Sequence, residues 1–122
     1  MIAAGFGFRK MASVGSLQDA LDRACQAAQP DVLATLEDKA TAEAFRLFAK
    51  DAGVPVKAVP LDVLRRQSTV SQSDASQEAY GTGSVAEAAA LAAAGPGARL
   101  LTLRHISADK LATCALAIRE TS

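Results

Sequence analysis

The stretch Met1 to Gly7, MIAAGFG, is a short apolar run closed by two glycines, and it reads as a buried strand entering a turn. The segments that follow alternate between the two periods. Ser16 opens a helix with Asp19 three residues on, in the manner of a capping box, and Leu17, Leu21, Ala24, Cys25 and Ala28 fall on one face before Pro30 ends it. Val32 to Thr35 makes a second short strand. A helix from about Ala40 buries Phe45, Phe48, Ala49 and Ala52 and stops at Gly53. Val54 to Val59 is a third β-rich run, and Pro60 starts a single helical turn carrying Leu61 and Leu64.

Residues 67–83, QSTVSQSDASQEAYGTG, break this rhythm and read as a long polar loop, with 68–80 expected to be the least ordered internal segment. Ser84 with Glu87 then forms an S-x-x-E box at the start of an Ala-rich helix that runs to Gly95. Two more strands, near residues 99–104 and 111–118, are joined by a linker short enough for a hairpin. With strands also near 1–7, 32–35 and 55–59, the order is βαβαβ, loop, α, ββ. That order predicts an α/β fold with a mainly parallel, mixed sheet of about five strands, covered on both faces, in a single domain spanning residues 1–122.

Composition narrows the function. The chain has 122 residues, half of them hydrophobic, but 28 are alanines, so the core is thin in large side chains. Thirteen basic and thirteen acidic residues cancel to zero net charge. Together with the absence of Trp and a single Tyr, that argues against a nucleic-acid partner. The first charges are Arg9 and Lys10, the wrong pattern for a signal peptide, and no apolar run is long enough for a bilayer. The expected compartment is the cytoplasm, without a membrane partner. Cys25 and Cys114 form no CxxC pair and read as buried thiols, and His105 is a lone imidazole, so neither a metal nor another cofactor is expected.

In an open α/β sheet, ligands bind beyond the carboxyl ends of the parallel strands. That rule gathers Gly5 to Ser13, Thr35 to Lys39 and Ser68 to Asp74 on one rim. Basic residues beside a glycine turn, with hydroxyls near helix starts, suit a carboxylate-bearing ligand. Each group has a structural alternative: a strand bend for the glycines, solvated charges for Arg9 and Lys10, dipole-complementing charges for Glu37, Asp38 and Lys39.

Taken in order, GFGFRKMAS (5–13), LATLEDKA (33–40), SVAEAAALAAAG (84–95) and ATCALAI (112–118) resemble the CobE protein and the C-terminal domain of CbiG, a family of cobalamin biosynthesis. The resemblance implies a three-layer α/β/α sandwich that binds a corrin or precorrin intermediate, a macrocycle edged with acetate and propionate groups. It implies other cobalamin-pathway enzymes as partners. CbiG enzymes open the δ-lactone of cobalt-precorrin-5A hydrolytically with release of acetaldehyde, and this chain matches only their C-terminal part. Many members carry a Cys where Phe8 stands here. On this reading Arg9, Lys10 and Lys39 pair with ligand carboxylates, Ser13, Thr35 and Ser73 donate hydrogen bonds, and Gly5 and Gly7 admit the ligand. Phe6 or Phe8 lies against the ring face, and Glu37 and Asp38 are the general-base candidates should the domain be a hydrolase. A non-catalytic corrinoid carrier and a protein-interaction module using the Ala-rich helix are the rival roles.

Overall fold

In a computed structural model of the protein, which describes residues 1–26 and 28–120, β1 (Ile2–Phe8) is the central strand. It pairs in parallel with β2 (Val32–Leu36), which pairs in parallel with β3 (Val56–Val59). On its other side β1 pairs antiparallel along its whole length with β6 (Ala112–Ile118). Two short strands, β4 (Arg99–Leu100) and β5 (His105–Ile106), lie antiparallel to β6. The strand order is β3-β2-β1-β6-β4, a mixed sheet between helical layers.

Side chains on β1 alternate between the two faces, as strand geometry requires. Ala4 and Phe6 face α1 (Val14–Ala24) and α3 (Glu43–Ala52), where Phe6 meets Phe45 and Phe48 edge-on at 5.7 and 5.2 Å. Ala3 faces α4 (Leu61–Arg65) and α6 (Val85–Ala94). The α6 helix is alanine-rich because it lies tight against the sheet. A Cβ on Gly5 would collide with the Ala86 carbonyl and the Ala90 amide, so Gly5 is where helix and strand backbones make their closest approach. Cys114 is buried on the α1 face and Cys25 half-buried at the end of α1; both are free thiols. No helix among the described residues is long and apolar enough to cross a membrane.

Three expectations need correction. The first helix starts at Val14, not Ser16: Ser13 is the N-cap, and the Ser13 and Ser16 hydroxyls reciprocate the two capping bonds at 3.1 Å. The polar stretch 67–83 contains a helix, α5 (Asp74–Tyr80), capped by Ser73 and ended by Gly81 at φ +70. Of the strand expected at 99–104 only Arg99–Leu100 forms, and β5 follows beyond it at His105–Ile106. The Leu101 and Thr102 amides both donate to the Leu116 carbonyl, the Thr102 hydroxyl accepts from the Leu116 amide, and the Arg104 amide turns to a carboxylate on α6. Those backbone groups are satisfied without a regular ladder.

Candidate functional site

The chain steps from β1 to β2 to β3 in one direction, then returns to the far side of β1, so the strand order reverses between β1 and β6. A crevice at such a reversal is the usual ligand position in open α/β sheets. A cleft of about 930 Å³ opens there, toward the upper end of the range of small-molecule sites. Its walls are the end of β1 with Arg9 and Lys10, Lys39 of α2 (Glu37–Ala40), and Ser73, Ser76, Ala79 and Tyr80 of α5 and its cap. Ser84 and Val85 at the start of α6, Arg23 of α1 and the β5–β6 hairpin complete it. A smaller hollow of about 280 Å³ beside α4 and the end of α6 is lined by no charged residue.

The cleft sorts the molecule's charge. Arg9, Lys10, Arg23, Lys39, Arg104 and Lys110 line it, and no Asp or Glu does. Among the described residues only Arg23 of these six is in an ion pair, with Asp19 at 3.0 Å. Lys39 is the best anchored. Its ammonium donates to the Phe8 carbonyl at 2.6 Å and sits 5.0 Å from the Phe8 ring centre and 5.7 Å from that of Tyr80. Phe8 is itself stacked on Phe45 at 5.6 Å. The cation is thereby held between two aromatic faces with donor capacity to spare.

Carboxylates behind the cleft hold its walls. Asp19 accepts from the Ala108 amide at 2.7 Å, and that bond, with Arg23, keeps its carboxyl below the usual carboxylate range. Asp109 accepts from the Ser107 and Ser16 hydroxyls and the Leu111 amide, donors that lower it likewise. Glu87 is fully buried on α6. Its Oε1 accepts from the Val70 and Ser71 amides at 2.8 and 2.9 Å and its Oε2 from the Arg104 amide at 3.2 Å. Burial pushes this carboxyl up, but the Ser71, Val70 and Arg104 donors outweigh it, and the group is held below its ordinary value. The Ser84 hydroxyl caps the Glu87 amide at 3.2 Å, so one half of the expected box is present. The carboxylate serves instead as a clamp between α6, the 70–71 loop and the β4–β5 segment. Among the described residues no His, Cys, Asp and Glu cluster gathers as a potential metal site.

The family model for the cobalamin synthesis G C-terminus matches residues 2–117. This chain belongs to that family. CobE, a protein from the cobalamin (vitamin B12) biosynthetic pathway, superposes with a TM-score of 0.88 at 32% identity, over 100% of this chain and 92% of CobE. The cobalamin biosynthesis protein chiG from Agrobacterium tumefaciens str. C58 gives 0.76 at 30% identity, over 99% of this chain and 100% of its own. A cobalamin biosynthesis protein G homologue from Sulfolobus solfataricus shares the fold, with a TM-score of 0.71 at 18% identity; this chain spans 37% of its length. No curated protein matches by sequence. The chain is therefore a cobalamin biosynthesis protein of the CobE/CbiG family.

Set against this family's expected rim, the structure brings together Gly7, Phe8, Arg9, Lys10, Lys39 and Ser73 on the cleft. It does not bring Gly5, Phe6 or Thr35 there. Phe6 is a core aromatic, Gly5 lies under α6, and buried Thr35 donates to the Phe6 carbonyl at 2.9 Å. Ser13 is occupied in capping α1, and exposed Glu37 and Asp38 lie on α2 outside the cleft lining. Sequence reasoning missed Arg23, Tyr80, Arg104, Lys110 and Thr113. The signal was available: an antiparallel last strand paired with β1 brings its entry hairpin to the carboxyl end of β1.

Proposed function

We propose that this CobE/CbiG-family chain binds a polycarboxylate corrin-ring precursor in the cleft between β1 and β6 and holds it for the enzymes of cobalamin biosynthesis in the cytoplasm, residues 1–122 acting as one unit. One observation carries the reading: in a chain of zero net charge, six basic residues and no acidic one line this cleft. A macrocycle with carboxylates around its edge needs dispersed cations at the rim and aromatic surface against its face. Arg9, Lys10 and Lys39 answer the first need, and Phe8 and Tyr80 the second. The binding role is favoured over lactone hydrolysis because no carboxylate, imidazole or thiol lines the cleft, and Glu37 and Asp38 lie outside it.

The test is a visible-absorbance titration with cobyrinic acid against its fully methyl-esterified derivative, which keeps the ring and removes the charges. The acid should bind and the ester should not. Arg9→Glu and Lys39→Glu should each weaken binding about tenfold or more, since a partly desolvated, hydrogen-bonded ion pair is worth about 1.5–3 kcal/mol. Arg119→Glu, at an exposed position just past the far end of β6, should change nothing. Equal binding of acid and ester, or equal losses for all three variants, overturns the reading.

A further inference from the structure

Lys110 is the only non-glycine residue with a positive φ, +64, among the described residues. The left-handed region is disfavoured for any residue with a Cβ, and a turn needing it is normally given glycine or asparagine. The turn itself has no use for the Lys110 side chain. Its amide donates to the Ser107 carbonyl at 2.9 Å, a bond that glycine makes equally well. The acids around this tip are engaged by other donors: Asp109 accepts from Ser16, Ser107 and Leu111, and Asp19 of α1 accepts from the Ala108 amide. Lys110 lines the cleft and is in no ion pair among the described residues. A strained backbone kept where glycine would relieve it points to a side chain retained for function.

We infer that Lys110 is a ligand-binding residue, a cation presented on a braced hairpin tip to grip a carboxylate of the ligand. The inference rests on the proposed binding of a polycarboxylate in the cleft. It adds Lys110 to the cations at the β1 exit, where Phe8 pairs with Ala112 and the Arg9 amide donates to the Leu111 carbonyl at 2.9 Å, so β1 and the hairpin present their charges side by side.

Strain and binding predict opposite signs for one substitution. Lys110→Gly should leave Tm unchanged or raise it by up to about 3 °C, as removing a disfavoured φ allows, while weakening cobyrinic acid by up to about fivefold. Lys110→Asn, which tolerates the same backbone, should lose affinity to the same extent, and Lys110→Arg should keep it. If wild type fails to bind cobyrinic acid, the cleft reading falls and this inference with it. If wild type binds, Arg9→Glu weakens it and Lys110→Gly does not, this inference alone is overturned. It is also overturned if Lys110→Gly lowers Tm along with affinity, because the lysine would then be holding the turn.

Discussion

A hydroxyl or glycine near a strand end has two possible employers, and at several positions here the backbone takes it. Ser13 caps α1, Thr35 ties β2 to the Phe6 carbonyl, and Gly5 lets α6 settle on β1. The sequence pattern could not separate these uses from ligand contact, because both put small or polar residues at the same rim. Alternation would have excluded Phe6, which shares a face with Ala4 and meets Phe45 and Phe48. The packing role of Gly5 is open to direct test. In Gly5→Ala the added methyl group meets backbone on both Ala86 and Ala90, neither of which can swing aside. The helix must shift as a body, and overpacking of this kind costs about 1–3 kcal/mol. Gly15→Ala, whose new Cβ meets only the Ser13 hydroxyl at an ordinary 3.5 Å, should hold or raise stability through helix propensity. Urea unfolding of both variants reads the difference; equal stabilities would mean that α6 does not press on β1 at Gly5.

Elements with a strong period were legible, and elements held by side-chain bonds were not. The strands β1 and β2 and the helices burying Leu17 or Phe45 show a clear apolar face. By contrast α5 buries none of its described residues and is marked only by its Ser73 cap and Gly81 stop. The β4–β5 break depends on Glu87, distant in sequence. These carboxylate clamps make the cleft walls sensitive to acid. Glu87, Asp19 and Asp109 all have carboxyls below their ordinary values in the folded state. Each therefore contributes stability that is fully present above the ordinary carboxylate range and is lost as pH falls through its lowered folded value. Hydrogen exchange, expressed as protection factors on descending pH, should show Val70, Ser71, Arg104, Ala108 and Leu111 losing protection before the β1 and β2 amides. Glu87→Gln should abolish the acid dependence at Val70, Ser71 and Arg104 and spare Ala108 and Leu111. Uniform loss across the sheet would assign no special role to the clamps.

Across the whole molecule, a neutral balance hides a strongly polarised surface. Topology does the sorting: the strand-order reversal opens a cleft where the exit of β1, α2 and the β5–β6 hairpin converge, and each brings at least one cation. Net charge alone argues against a general polyanion binder and says nothing about such a cleft. A cluster of like charges raises the local concentration of an anionic ligand, and mobile salt screens that attraction over about 10 Å at 0.1 M and about 3 Å at 1 M. Affinity for cobyrinic acid should therefore fall by about tenfold or more between low salt and 0.5 M, as an order-of-magnitude expectation from that screening. The loss should appear mainly in the association rate, since steering acts before contact. Arg119→Glu changes the net charge by as much as Arg9→Glu does, but just past the far end of β6, so it should leave the salt slope intact. Arg9→Glu should flatten it. A slope that follows net charge regardless of position would show that the ligand feels the molecule as a whole rather than the cleft.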